Sequence, residues 1–231
     1  MLLKKPLVIA AIMEKNRQSF LRSLDLAGEA DIVEARIDGL DNPDPEKVMR
    51  LLDSIKATGK KTILTNRMKE EGGAFEGEEK DRIKVIESCL TAADYVDLEL
   101  RMDGLREMAM KTKRADTGVI ISAHNFNATP GEKEMLSILK KEFKAGADIA
   151  KLAAKANSME DVLTMLSVTK KASEIGDVCT ISMGTTGRLS RVAAPLFGSV
   201  LTYGYVTKPT APGQLSIAEL KEALRILGGL R

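Results

Sequence analysis

One pattern repeats along the whole chain: a short run of apolar, mostly β-branched residues is followed by a segment of helical periodicity. The eight apolar runs, which we interpret as strands, occupy residues 7–12, 32–37, 62–65, 95–100, 119–122, 149–153, 178–183 and 200–203. Strands that alternate with helices form a parallel sheet with right-handed crossovers. Eight such units in 231 residues predict an α/β fold, one (β/α)8 TIM barrel that fills residues 1–231 as a single domain.

Helix-start signals between the runs support this barrel. They are Asp44 before Pro45, Thr129 with Glu132, and Ser216 with Glu219. A doubly wound open sheet is the alternative, but it needs a glycine-rich phosphate turn after the first strand, where the sequence reads MEKNRQSF. Residues 141–158 could also form one continuous helix, although Gly146 favours a strand from about Asp148.

The composition excludes several classes of function. Aromatic residues make up 3% of the chain, Trp is absent and the net charge is +2, which argues against a nucleic-acid-binding protein. Two cysteines and one histidine cannot build a zinc cluster, so we expect no metal and two free thiols. The apolar runs are too short for a signal peptide or a membrane-spanning helix, which predicts a cytoplasmic protein.

Charged residues stand on one face of the second predicted strand. Alternation puts Glu34, Arg36 and Asp38 on the same side. A strand of a closed parallel barrel is normally apolar on both faces, so buried charges there indicate a site for a polar ligand. The alternative is a half-exposed strand of an antiparallel sheet.

Two further strands end in candidate catalytic groups, as expected at the carboxyl end of a barrel. Arg67 follows the third strand and should point into the mouth, below a loop that contains Glu70 and Glu71. This loop could instead be a solvated acidic turn. His124, the single histidine, follows the fifth strand, where an imidazole can exchange protons at cellular pH.

The sixth strand carries a lysine in an apolar setting. Lys151 has the parity of Ile149 and Ala153 and should project into the barrel interior. A buried amine that loses its proton can attack a carbonyl and form a Schiff base. The alternative is a lysine that only pairs with Asp148 or Glu34. Lys155 lies too far along the chain to take this role.

The last two strands lead into loops suited to anions. The segment Gly184–Gly187 could hold a phosphate, whereas Arg191 offers a bidentate fork for a carboxylate. Thr210 and Gln214 supply a hydroxyl and an amide in the loop after the eighth strand.

Taken in order and spacing, the segments EARID, TNR…EEGG, SAHNF, DIAKLA, ISMGTTGRLSR, FGS…TYG and APGQLS resemble the type I 3-dehydroquinate dehydratases. The resemblance runs from the second strand to the final helix. It implies a TIM-barrel lyase of the shikimate pathway, which leads to chorismate and the aromatic amino acids. Such an enzyme removes water from the small molecule 3-dehydroquinate to give 3-dehydroshikimate. The family works without metal or cofactor and commonly forms homodimers.

The resemblance also implies roles for particular residues. Lys151 matches the Schiff-base lysine, His124 the general acid and base, and Glu71 the carboxylate that positions the histidine. The positions implied in substrate binding are Glu34, Arg36, Arg67, Met183, Arg191, Thr210 and Gln214. The chain departs from some relatives at Ala11, where they carry serine, so one hydroxyl contact is missing. Thr210 replaces another serine and keeps the hydroxyl.

Two other functions remain open at the level of the residues. A class I aldolase acting on a phosphorylated sugar would use Lys151 in the same way and bind phosphate at Gly184–Gly187. A non-catalytic barrel could bind a small acid as a sensor or docking module. Several arginines around one ligand favour a carboxylated ring over a sugar phosphate.

Overall fold

The computed structural model describes residues 5–229, and all eight predicted strands are present in it. They are Leu7–Ile12 (β1), Ile32–Arg36 (β2), Lys61–Thr65 (β3), Tyr95–Glu99 (β4), Gly118–Asn125 (β5), Ile149–Lys155 (β6), Asp177–Met183 (β7) and Leu201–Tyr205 (β8). A short ninth strand, Leu215–Ser216 (β9), pairs with β8. Several predicted strand ends differ from these by one to three residues, because hydrogen-bond pairing with neighbouring strands rather than apolar content sets where a strand ends.

The helices follow the strands in the predicted order. They are Arg17–Asp25 (α1), Pro45–Lys56 (α2), Glu79–Ser88 (α3), Leu105–Arg114 (α4), Glu132–Ala145 (α5), Met159–Ala172 (α6), Gly184–Gly187 (α7), Ser190–Leu196 (α8) and Ile217–Ile226 (α9). Gly146 ends α5 with a φ of 114°, and β6 starts three residues later. The ambiguous segment 141–158 is therefore not one helix, and the predicted strand is confirmed.

The parallel strands curl until the two ends of the sheet meet. Neighbours run in the order β7, β6, β5, β4, β3, β2, β1, β8, so β1 pairs with both β2 and β8. Between β7 and β8 the contact is a parallel bridge of Val178 with Ser199, and the Val200 amide donates to the Val178 carbonyl at 2.8 Å. The predicted TIM barrel is confirmed, and its weakest seam lies between β7 and β8.

Alternation along each strand decides what fills the barrel. Side chains of one parity form an interior apolar cluster that includes Ile9, Ile32, Ile63, Ile120 and Leu201. Side chains of the other parity, such as Val8 and Val33, pack with the helices. Toward the carboxyl ends of the strands the inward-facing side chains are charged instead of apolar. The candidate functional site lies where this change occurs.

Two of the three predicted helix starts are confirmed. Asp44 caps α2, with Pro45 in the first turn, and Ser216 and Glu219 form a reciprocal capping box on α9. The predicted box at Thr129 is wrong: Gly131 precedes α5 without a side-chain cap, and the Thr129 hydroxyl donates to the Lys155 carbonyl at 2.9 Å. The Thr129 side chain, which the local sequence predicted to cap α5, instead makes a tertiary hydrogen bond to β6.

A buried acid on α5 should make stability depend on pH. Glu142 lies on the helix face of Met135 and Leu139, which packs against β6, and burial raises the pKa of this carboxyl well above its ordinary value. In the unfolded chain the same group ionises near pH 4.3. The unfolded state therefore binds fewer protons above that pH, and stability falls as pH rises.

We expect Glu142→Met to remove this loss. At pH 8 the variant should be more stable than the parent by about 1 to 3 kcal/mol, with a smaller difference at pH 4. Urea unfolding across this pH range measures the effect. Glu134→Met on the exposed side of the same helix is the control, and an equal gain there would contradict the assignment.

Candidate active site

A cavity opens at the carboxyl end of the barrel. Its walls include all ten residues to which the resemblance assigns a catalytic or binding role: Glu34, Arg36, Arg67, Glu71, His124, Lys151, Met183, Arg191, Thr210 and Gln214. Phe126, Ile181 and Tyr203 complete much of the apolar lining. The walls of this cavity suit an anionic, hydroxylated small molecule.

Lys151 projects into the interior as its parity predicted. Its side chain is 5% exposed, and Nζ lies 2.8 Å from Asp97 Oδ2 and 3.8 Å from Glu34 Oε1. Nζ also stands 4.3 Å from the centre of the Tyr203 ring. Of the two pairing partners considered for this lysine, Glu34 is a distant one. Asp148 is not a partner, because its carboxylate contacts Lys113 and the Val119 amide.

Sequence reasoning missed the principal partner, Asp97, and its neighbour Glu99. Both are fully buried on β4 and point inward. Burial alone would raise the pKa of Asp97, but Arg67 and Lys151 hold it well below its usual range. The signal was present in the sequence, since the strand reads YVDLE and alternates charges as β2 does.

Arg67 lies at the centre of the buried charges. Its guanidinium contacts Asp97 Oδ1 at 2.8 Å and Glu99 Oε1 at 2.9 Å, and it donates to Ser122 Oγ at 2.7 Å. Burial would lower the pKa of Arg67, but the two carboxylates raise it above its ordinary value. Arg67 lines the cavity as predicted, and it also neutralises acids beneath the cavity floor.

His124 and Glu71 form a hydrogen-bonded pair. Glu71 Oε2 lies 2.9 Å from the imidazole Nδ1 and accepts the His124 backbone amide at 3.1 Å. Burial, together with Arg67 and Lys151, lowers the pKa of His124 well below its usual value, so the imidazole is neutral. When Glu71 is ionised, Oε2 can only accept, so it accepts from Nδ1–H as well as from the backbone N–H. The Nε2 lone pair is then left free for a proton.

The acidic loop after β3, which contains Glu70 and Glu71, is only partly a solvated turn. Glu71 ends a single 3-10 turn, Lys69–Glu71, and is 4% exposed, whereas Glu70 is exposed. The alternative prediction, a solvated acidic turn, is therefore right for Glu70 and wrong for Glu71.

Arg191 is a buried cation held by main-chain oxygens. Nε donates to Gly213 O at 3.0 Å, Nη2 to Pro212 O at 3.1 Å and Nη1 to Tyr203 O at 3.4 Å. Burial lowers the pKa of Arg191 to about 10. Within residues 5–229 no carboxylate lies at ion-pair distance from it. A cation without a counter-charge on a cavity wall suits a ligand carboxylate.

The loop after β8 is held by hydrogen bonds within the loop and by close packing against the residues that follow β7. Gln214 Oε1 accepts from the Thr210 amide at 2.8 Å and from its hydroxyl at 3.1 Å. Gly213 has a φ of 71°, and a Cβ there would stand 2.1 Å from the Gly184 carbonyl oxygen. Only glycine fits this position without moving the backbone.

Arg36, the last residue of β2, makes a bidentate ion pair with Asp38, at 2.8 and 2.7 Å. Asp38 follows β2 in the 3-10 turn Ile37–Gly39 and also accepts the amides of Arg67 and Ala74. The carboxylate therefore orients Arg36 toward the cavity.

The predicted anion loop forms the single turn α7, whose Gly184 amide donates to the Pro212 carbonyl at 3.2 Å. That amide is thus occupied, which argues against a phosphate there. Among the described residues, no three side chains of His, Cys, Asp or Glu are grouped as metal ligands would be.

Comparison with known proteins gives a consistent result. A sequence model of the family described as "Type I 3-dehydroquinase" matches residues 8–231. The 3-dehydroquinate dehydratase of Methanocella arvoryzae is 40% identical over 223 residues, which cover 96% of this chain and 97% of the relative. The 3-dehydroquinate dehydratase of Methanococcoides burtonii is 41% identical over 227 residues, covering 97% and 95%.

Solved structures show the same likeness. The 3-dehydroquinate dehydratase of Geobacillus kaustophilus superposes with a TM-score of 0.93 at 28% identity, covering 97% of this chain and 92% of that one. The enzyme of the same description from Aquifex aeolicus gives 0.86 at 36% identity, covering 95% and 98%.

Proposed function

The chain belongs to the type I 3-dehydroquinase family, and we propose that Lys151, His124 and Glu71 carry out its reaction. The protein is a hydro-lyase, a 3-dehydroquinate dehydratase that converts 3-dehydroquinate to 3-dehydroshikimate and water in the shikimate pathway. The observation that carries the residue assignment is one cavity lined by both the Lys151 amine and the neutral His124 imidazole. Family membership decides against the aldolase and the non-catalytic barrel.

The reaction begins with addition of the neutral Lys151 amine to the C3 carbonyl of the substrate. The nitrogen–carbon bond forms, the carbonyl electron pair moves to oxygen, and the attached nitrogen gives up one proton, which His124 passes to that oxygen. The proton released when the Lys151 ammonium becomes neutral is carried by His124 Nε2 to the resulting hydroxyl, so that water leaves and an iminium with one N–H remains. The iminium nitrogen is the electron sink that acidifies the adjacent C2–H.

Elimination uses the free Nε2 of His124. The imidazole removes the C2 proton, the C2–H pair forms the new double bond, and the C1 hydroxyl leaves with a proton that His124 returns. Water then adds to the product iminium, and the Lys151 amine is released. In this scheme one histidine both accepts and donates protons, which requires that its imidazole be neutral at rest.

The charged walls bind the ligand. Arg191 faces the cavity, has no carboxylate partner among the described residues, and is suited to the substrate carboxylate. The side chains of Glu34, Arg36, Thr210 and Gln214 can hydrogen-bond the hydroxyl groups of the ligand. Met183 supplies apolar contact on the wall of the cavity. Arg67 contributes positive charge beside the lysine.

The proposal is tested with purified protein and 3-dehydroquinate. The conjugated enone product absorbs in the ultraviolet, so turnover is read directly from absorbance. Sodium borohydride added during turnover should trap the ligand covalently, and peptide mapping should locate it on Lys151. Turnover without any trapped adduct would refute the Schiff-base mechanism.

Glu71 should set the acid limb of the pH profile. Burial raises the pKa of Glu71 to about 7, so this group takes up a proton as the pH falls through neutrality. A protonated carboxyl has lost its negative charge and is a weaker acceptor for the two N–H groups of His124, so the imidazole is held less firmly in its orientation. We therefore expect activity to fall below about pH 7.

The variant Glu71→Gln should lack this limb and lower kcat on the order of 100-fold, with less effect on KM. Steady-state kinetics from pH 5 to 9 measure both. Glu70→Gln, one residue away and exposed, is the matched control. An unchanged acid limb in Glu71→Gln would assign that limb to another group.

We further propose that the protein is a single-domain homodimer of the cytoplasm. Exposed apolar side chains on α6 and beside α8, including Met159, Leu163 and Leu189, give a surface that a second copy could cover. Among residues 5–229, no helix is both long and apolar enough to cross a membrane. Light scattering of the purified protein tests the oligomeric state.

A further inference from the structure

The lysine amine is the end of a buried series of charges that the family assignment leaves unexplained. Positive and negative groups alternate in it, and successive members are in ion-pair contact at 2.7 to 3.0 Å. We call it the ion-pair chain; its members are Lys151, Asp97, Arg67, Glu99, Arg82 and Glu79. All of its members except Glu79 are buried, so the ion-pair chain connects the reacting nitrogen to the surface of α3.

Asp97 is the member that touches the reacting atom. Its Oδ2 lies 2.8 Å from Lys151 Nζ. Its Oδ1 contacts Arg67 at 2.8 Å and accepts the Ser122 hydroxyl at 2.6 Å. With both oxygens occupied, the carboxylate is fixed in orientation and cannot swing away when the nitrogen reacts. The negative charge therefore stays beside Nζ throughout the reaction.

The chemistry at Nζ creates a charge that needs a partner. An ammonium carries three protons and a neutral amine two, but the iminium formed with a ketone keeps a single N–H and a full positive charge. In a site closed to water such a cation is costly unless an anion faces it. Only a carboxylate already in place can stabilise it without reorganisation.

On this basis, which rests on the proposed function, we propose that Asp97 is a catalytic residue: the fixed counter-ion of the Lys151 iminium, accepting its one N–H at Oδ2. The carboxylate keeps the imine protonated, and a protonated imine is the electron sink that loss of the C2 proton requires. Ser122 is a positioning residue, because it acts on the imine only through Asp97, and Arg67 also holds the Asp97 carboxylate in place.

A second group beside the nitrogen supports this assignment. The face of the Tyr203 ring stands 4.3 Å from Nζ, a distance at which an aromatic ring attracts a cation. A ring and a carboxylate around one nitrogen form a site for a positive charge. Neither group would favour a neutral imine.

The test uses the full-length protein with its product, 3-dehydroshikimate, as the probe. A conjugated iminium absorbs at longer wavelength than the neutral imine, so a pH titration of the complex gives the midpoint of imine protonation. We expect Asp97→Asn, which keeps the shape and removes the charge, to lower this midpoint by about one to three pH units.

Glu99→Gln is the matched control. Glu99 lies on the same strand, is equally buried and also pairs with Arg67, but its carboxylate does not contact Nζ. Its midpoint should move by less than about half a pH unit, since its charge is farther from the imine. Equal midpoints in the parent protein and a folded Asp97→Asn, or an equal fall in Glu99→Gln, would overturn the proposal.

A measurement on the parent protein covers the case in which Asp97→Asn does not fold. The C=N stretch of the unreduced complex with 3-dehydroshikimate shifts in heavy water only when the nitrogen carries a proton. We expect that shift at pH 8, and its absence would overturn the counter-ion role. Absence of any adduct in the parent protein would instead refute the proposed function itself.

Discussion

The variant Lys151→Ala is expected to lose turnover of 3-dehydroquinate by a factor on the order of 10⁵ or more. The amine is the only part of the proposed mechanism that forms a bond to the substrate, and removing it leaves only binding and the imidazole. Borohydride should then trap no ligand. The absorbance assay and intact mass measurement report the two effects separately.

Lys155→Ala provides the matched control, because Lys155 ends the same strand but is exposed. It should keep ordinary turnover and a normal adduct at Lys151. Lys151→Met, which retains the length of the side chain, tests whether loss of packing explains the result. Turnover by either Lys151 variant near the parental rate would end the Schiff-base interpretation.

Replacing His124 by alanine should separate the covalent step from the proton transfers. We expect kcat to fall by about 10²- to 10⁴-fold, the usual range for a positioned acid or base. The Lys151 amine remains, so borohydride should still trap some ligand. Peptide mapping after a long incubation detects this adduct, and the enone absorbance gives the residual rate.

A useful comparison is Phe126→Leu, since Phe126 stacks on the imidazole at 6.4 Å without carrying a proton. Its effect on kcat should be much smaller than that of His124→Ala. If His124→Ala instead abolished the adduct and left little else to measure, the histidine would be required for amine addition rather than elimination.

The fold and most of the site were predictable because both depend on alternation along single strands. The parity of Lys151 with Ile149 placed its amine inside the barrel, and the position of His124 after a buried strand placed the imidazole at the catalytic end. Such placements need only the direction of each strand and the side that each residue faces.

Partners across the barrel were not predictable in the same way. Asp97 and Lys151 are 54 residues apart and lie on β4 and β6, which β5 separates. Their contact depends on the curvature of the closed sheet, which strand patterns do not contain. Thr129 failed for a related reason, since its hydroxyl bonds to the Lys155 carbonyl, on β6.

The buried charges also constrain how this sequence can change. Removing one member of a buried pair leaves its partner uncompensated, at a cost of about 3 to 5 kcal/mol, whereas joint replacement by apolar residues is often neutral or stabilising. Arg82 and Glu99 are both buried and opposite in sign, so an apolar replacement of one should be tolerated only when the other is replaced as well. Evolution at either position is then coupled to evolution at the other. Joint replacement of all the buried charges by apolar residues is expected to keep or raise the stability of the barrel, but it would remove the groups that its chemistry uses.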